Sequence, residues 1–205
     1  MLGRSERRIV LGGQHVQRGM SMIEILIGIA IIGVLAAVAL PAIGDMMRNI
    51  RIRNGAEAVL NGLQFARAEA VKQNRVVAFQ LTDASNANYR VCVWDMATND
   101  CSATLPDLKT FSSGDGSSRV RVAADTSSAA PYNVMAAGAG VPGRVGFSGF
   151  GRLTNPGTDL QRVDVFDPTV SAAEQRRMVI LISTGGQVRL CDPAVALASN
   201  PRGCA

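Results

Sequence analysis

Residues 18–24 read Arg18-Gly19-Met20-Ser21-Met22-Ile23-Glu24, and residues 25–44 continue as ILIGIAIIGVLAAVALPAIG. Glu24 is the one charged residue between Arg18 and Asp45. As a helix, 25–44 extends about 30 Å, the thickness of a bilayer's hydrocarbon core. A helix that is apolar on every side needs lipid or a large protein around it, and 205 residues do not supply the second. Three readings compete. The segment is a plain membrane anchor, a secretory signal peptide cut at the small residues Ala37-Val38-Ala39, or a helix retained behind a short leader that is cut before it. Glu24 separates them. A carboxylate costs about 2–3 kcal/mol at the centre of a membrane helix and less near its end. A simple anchor or signal peptide has no use for it.

The context of Glu24 resembles the prepilin motif. It has a basic, hydrophilic leader, a glycine before the cut, an apolar first mature residue and a glutamate at the fifth mature position. Met20 departs from the usual phenylalanine at the first. Pro41 stands where pilins commonly carry a helix-kinking proline. The resemblance implies that a prepilin peptidase removes residues 1–19, cutting after Gly19 and N-methylating Met20. It also implies that Glu24 pairs with the N-terminal amine of a neighbouring subunit as helices bundle into a filament. Such a pairing is physically sensible, because a carboxylate in lipid needs a cation. The plainer role for Glu24 is snorkelling to the interface. On this reading residues 20–44 form a transmembrane helix and 45–74 its amphipathic continuation.

The net charge of +5 misleads. Arg4, Arg7, Arg8 and Arg18 against Glu6 place +3 in the leader. From Val76 onward 11 basic residues face 11 acidic ones. Binding of nucleic acid by the head therefore needs a local patch and cannot rest on overall charge. Charge alone orients the membrane helix weakly, since Arg48, Arg51 and Arg53 follow it closely. The cysteines decide: disulfides need an oxidising compartment, which places the head outside the inner membrane, in the periplasm. Only 4% of residues are aromatic against 47% hydrophobic, so the core is built mainly from Val, Ile, Leu, Met and Ala.

Ile52, Ala56, Val59, Leu63, Ala66 and Ala70 recur at helical spacing and form one apolar stripe. Arg53, Glu57, Arg67 and Lys72 lie off it. Gly55 and Gly62 weaken the helix slightly, and Asn74 marks its end. No independent cap is visible, so the helix draws its stability from packing against the head. Downstream the period changes to two. Strands are expected at 75–82, 89–95, 119–123, 144–148, 160–166, 177–183 and 187–191. Turn-rich stretches at 112–118 and 136–143 separate some of them. No βαβ alternation appears, so 75–205 should form an antiparallel β head on the helix, an α+β class.

The stretch from Leu60 to Asn74 resembles the helix-to-strand segment of the GspH/FimT family of minor pilins and pseudopilins. Val145-Gly146-Phe147 with Gly149 and Gly151 resembles its central strand and turn. Ser183-Thr184-Gly185-Gly186-Gln187-Val188-Arg189-Leu190-Cys191, followed by Pro201-Arg202-Gly203-Cys204, resembles the tail of the FimT-like branch. That resemblance implies a type IV pilin-like fold.

The four cysteines are Cys92, Cys101, Cys191 and Cys204, too widely spaced for a CxxC pair. The one histidine, His15, lies in the leader. A zinc site in the mature chain would take all four thiolates, and two disulfides suit an exported chain better. Of the three pairings, sequence proximity favours Cys92 with Cys101 and Cys191 with Cys204. No catalytic residue, cofactor loop or metal site is visible, and no enzymatic activity is expected. DNA-binding members of the FimT-like branch carry a Gly-Arg-x-Arg element in the tail. Here Gly186-Gln187-Val188-Arg189 lacks its first arginine. Arg189 and Arg202 remain, and Arg144 and Arg152 join them if the fold brings them near; a solvated structural tail is at least as good a reading.

The resemblance implies a minor subunit of a type IV pilus or related filament, acting in initiation or capping. Its partners are the prepilin peptidase, other pilins or pseudopilins and the inner membrane, with DNA as a weak candidate partner. A DNA-capturing minor pilin and a protein H-like minor pseudopilin of type II secretion are the alternatives.

Overall fold

The structure, a computed structural model, describes residues 20–83, 86–114, 117–171 and 175–204, without the side chains of Val38, Pro41 and Ala42. The leader at 1–19 and its cut after Gly19 lie outside the described residues.

Helix α1 runs Met22–Gln73. The carbonyl of Ser21 accepts the N–H groups of Glu24 at 3.0 Å and Ile25 at 3.2 Å, which starts the helix. Asn74 ends it in the left-handed region, at φ 49. Its N–H donates to the Val71 carbonyl at 3.3 Å, and that of Arg75 to the Ala70 carbonyl at 3.2 Å. These two closing bonds make a Schellman motif. The helix is thus capped where no cap was expected. Asparagine can serve because its short polar side chain tolerates left-handed backbone better than most residues do.

The chain divides into two compact units, Met1–Ala42 and Ile43–Ala205. In the first, Ile25, Leu26, Ile29, Ile32, Val34 and Leu35 are 47–68% exposed around the helix. Among the described residues no helix is long and apolar enough to cross a membrane. The span expected at 25–44 contains the three undescribed side chains.

The second unit holds the rest of α1 and nine strands: β1 (Val77–Leu81), β2 (Tyr89–Asp95), β3 (Asp100–Cys101), β4 (Lys109–Phe111), β5 (Arg121–Asp125), β6 (Gly143–Phe147), β7 (Arg162–Phe166), β8 (Met178–Ile182) and β9 (Val188–Cys191). All seven expected strands are present. The two that were not expected, β3 and β4, are two and three residues long, too short to show a period of two.

Within the expected antiparallel head the strands form two sheets. The first runs β3–β2–β1–β6, with β4 also on β2; the second runs β5–β7–β8–β9. Every strand pairing is antiparallel. The chain crosses between the sheets because β6 pairs with β1 while β5 pairs with β7. Alternation marks which face of a strand is buried but not which strand lies beside it.

Both sheets and the helix share one core. Ile52, Ala56, Val59, Leu63, Ala66 and Ala70 of the predicted stripe are fully buried. They meet Val77, Phe79, Tyr89, Val91, Val145 and Phe147 of the first sheet, and Val122, Val163, Val165, Ile180 and Ile182 of the second. Truncating such a side chain, as in Leu63→Ala, typically costs about 2–5 kcal/mol. Two satellite clusters form around the disulfides. Ala78, Cys92 and Trp94 make one, and Val179, Cys191 and Cys204 the other.

Candidate functional site

Glu24 stands exposed in the first turn of α1, with no side-chain partner among the described residues, and Met20 is 73% exposed just before it. Pro41 lies inside α1.

A groove of about 760 Å³ runs between the C-terminal half of α1 and β9. The helix contributes Gln64, Arg67, Val71 and Lys72, and the strand side contributes Gln187 and Arg189. Two contacts hold the groove in shape. Arg67 Nε donates to the Gly151 carbonyl at 3.0 Å, tying the helix to the 148–152 turn. Gly186, at φ 78, lies so close to the Gly151 carbonyl that a Cβ would overlap it. Only glycine fits there.

The groove is positively charged, though less than its residue list suggests. Lys72 pairs with Glu69 at 2.9 Å. Hydrogen bonds from Gln73 and then Lys72 hold the Glu69 carboxyl below its ordinary range, so that acid stays ionised and offsets Lys72. Arg67 and Arg189 carry the surplus charge. Arg189 also donates to the Cys204 carbonyl at 2.9 Å, which fixes it against the tail. At the tip of the 148–152 turn Phe150 is 88% exposed, and Arg152 beside it is exposed too.

The four arginines considered together for DNA do not form one patch. Arg189 lines the groove, and Arg152 follows the turn that Arg67 anchors. Arg144 does not belong with them. It lies on the face of β6 opposite Val145, stacked at 4.2 Å over the Trp94 ring and 3.7 Å from the buried carboxylate of Asp159. Its side chain is 20% exposed; it is a structural cation. Arg202 lines a different groove, with Arg53 and Arg176. Arg67 and Lys72 lie off the apolar stripe, and sequence reasoning alone assigns them no place in a site. The spacing of Gln64, Arg67, Val71 and Lys72 is a helical stripe of its own, and that was the available signal.

The cysteines pair locally. Cys92 is bonded to Cys101 across a Cα separation of 5.6 Å, and Cys191 to Cys204 across 5.0 Å. No free thiol remains among the described residues. The second bond folds the tail back beside β9, where the Asp192 N–H donates to the Arg202 carbonyl at 2.7 Å.

One polar cluster was not visible in the sequence. Asp164 is fully buried on β7 and binds Arg162 at 2.6 Å and Arg177 as a second buried partner. The guanidinium of Arg162 donates to the Asn133 carbonyl at 2.6 Å, and that of Arg177 to the carbonyls of Tyr132 and Asn133. The cluster clasps the 132–133 segment onto the second sheet. Arg162 lies two positions from Asp164 on the same face of β7, and Arg177, thirteen positions on, is brought beside them by the pairing of β8 with β7.

The family model described as Type II transport protein GspH matches residues 55–186. The chain belongs to the GspH family. In front of the GspH region, the prokaryotic N-terminal methylation motif matches residues 14–40, so the chain is a minor pilin or pseudopilin with the motif that marks such proteins for processing and assembly. Its fold is similar to that of the type IV minor pilin FimU of Pseudomonas aeruginosa (strain PAO1). The crystal structure of FimU in space group P21 matches at TM-score 0.51 and 21% identity, covering 75% of this chain and 95% of that one. The P65 crystal form gives TM-score 0.48 at 21% identity, covering 75% and 99%. The first match shows the type IV pilin fold for this GspH-family chain.

Proposed function

We propose that the chain is a non-catalytic minor subunit of a type IV pilus or related filament, acting in its initiation or capping. On this reading a prepilin peptidase cuts after Gly19 and methylates Met20. The apolar helix then holds the protein in the inner membrane, with its disulfide-bonded head in the periplasm, until it joins the filament. One observation carries the proposal. An exposed apolar helix begins at the methylation motif with a single acid, Glu24, in its first turn. Exposed apolar surface of that extent needs lipid or other apolar helices to cover it, and an acid among apolar side chains needs a cation. A neighbouring subunit's amine supplies one. Glu24→Ala is expected to leave membrane insertion intact and to deplete the protein from sheared filaments. Normal incorporation of the variant would contradict the amine pairing. The same features suit a minor pseudopilin of type II secretion equally well.

A second reading, DNA capture, rests on the groove between α1 and β9. Arg67 and Arg189 supply phosphate contacts there, and Phe150 offers a ring for base stacking beside them. With Gln187 in place of an arginine, the expected binding is weak, independent of sequence and strongly salt-sensitive.

A further inference from the structure

Strand β9 is an edge of the second sheet. Three hydrogen bonds fix the direction of its backbone groups. The Ser183 N–H donates to the Gln187 carbonyl at 2.9 Å, so the odd-numbered residues of β9 turn their backbone toward β8. The Ile182 N–H donates instead to the Gln161 carbonyl, on the β7 side, at 2.8 Å, which leaves Val188 opposite it without a bond to β8. The Asp192 N–H leaves the sheet for the Arg202 carbonyl at 2.7 Å. Peptide groups alternate in direction along a strand. The N–H and C=O groups of Val188 and Leu190 therefore also face away from β8. Among the described residues none of them has a hydrogen-bond partner.

Other edges of the sheets are covered or short. The Gly138 N–H donates to the Val122 carbonyl and the Ala124 N–H to the Ala139 carbonyl, both at 2.8 Å, which covers β5. The Thr154 N–H on the Gly146 carbonyl at 2.9 Å and the Leu160 N–H on the Arg144 carbonyl at 2.8 Å cover β6. Strands β3 and β4 are two and three residues long. An uncovered edge is a template for another strand. Unpaired peptide groups at strand spacing match one kind of ligand, an extended polypeptide.

The surroundings specify its side chains. Val188 lines the groove between α1 and β9, where Ala68 and Val71 present apolar surface, Val71 being 53% exposed. Arg67 and Arg189 hold only neutral carbonyls, those of Gly151 and Cys204, and neither meets an acid among the described residues. A strand with apolar residues on the α1 side and acids on the other fits both. DNA would engage the two arginines and leave the peptide groups of β9 unpaired.

We propose that the outer edge of β9 binds an extended, acid-bearing segment of a neighbouring subunit by strand addition, pairing it with Val188 and Leu190. The source of that segment rests on the filament-subunit reading above.

The test uses the full chain in detergent micelles and a synthetic peptide alternating valine and glutamate, with amide hydrogen exchange followed by NMR. The expected result is that exchange at Val188 and Leu190 slows by about tenfold at saturation. The same peptide N-methylated at every residue keeps its charges but has no backbone donor, and should give no protection. A peptide alternating valine and lysine should bind more weakly. Val188→Pro removes an outward N–H at an edge position where proline costs no bond to β8, and should weaken binding of the glutamate peptide about tenfold. If that variant does not fold, the N-methylated peptide makes the same comparison on the wild-type chain. Unchanged exchange at both amides, or equal binding of the N-methylated or lysine peptide, would overturn the proposal. So would protection of the same amides by a single-stranded oligonucleotide in place of the peptide, which would give the groove to DNA. The N-terminus of the mature chain tests the filament reading separately, so failure of the peptide to pair leaves that reading standing.

Discussion

Gly62 sits so close to Tyr89 that a methyl group on it would lie 2.6 Å from the ring and 2.8 Å from that of Phe79. The glycine that weakens the helix in isolation is the point where the helix meets the first sheet. The Phe79 and Tyr89 rings lie 4.7 Å apart, and Phe111 stacks on Tyr89 at 5.3 Å. Gly62→Ala should therefore destabilise the head. Overpacking costs about 1–3 kcal/mol, which outweighs a propensity gain of up to about 1 kcal/mol. Urea unfolding of residues 43–205 measures the balance. A more stable variant would mean that the aromatic cluster yields easily.

Asp164 is the one acid between two buried guanidiniums. Its removal leaves charges in a low dielectric without a partner. Asp164→Ala should cost about 3–5 kcal/mol. By contrast Glu57→Ala, which breaks an exposed i,i+4 pair with Arg53, should cost under about 1 kcal/mol. The two variants unfolded side by side provide the check, and equal losses would contradict the burial argument.

The head should show no free thiol without reductant. Peptide mapping should link Cys92 to Cys101 and Cys191 to Cys204. Replacing Cys191 and Cys204 with serine should lower stability by about 3 kcal/mol, since a loop of about 15 residues loses that much in the chain-entropy model. The change also frees the tail that holds Arg189. A peptide linking Cys101 to Cys191 would refute the pairing.

For DNA, gel shifts at two salt concentrations separate the arginines. Arg189→Ala and Arg67→Ala should each weaken any low-salt binding, and Gln187→Arg should strengthen it. Arg144→Ala should leave binding unchanged and lower stability, because its stacking on Trp94 and its pairing with Asp159 are internal. No shift by the unmodified head at low salt would remove the DNA reading for this subunit alone.

The parts legible in the sequence were those with a local period. The six stripe residues of α1 are all buried, and seven strands stand within a few residues of their expected positions. Asn74 ends the helix as its residue type suggested. What escaped was non-local. Splitting the strands into two sheets depends on β5 choosing β7, which alternation does not encode. Arg144 and Arg189 look alike as letters, yet strand pleating sends the first onto Trp94 and leaves the second on the groove. The Asp164 cluster and the pairing of Arg67 with Gly151, 84 residues apart, exist only after folding.

On the proposed function the chain becomes a processed filament subunit. Intact mass and N-terminal peptide mapping of the protein recovered from membranes or filaments test it most directly. The expected mature chain begins at N-methylated Met20. A mature chain beginning at Leu40, as a signal peptidase acting after Ala37-Val38-Ala39 would leave, removes the anchor and Glu24 together and contradicts it.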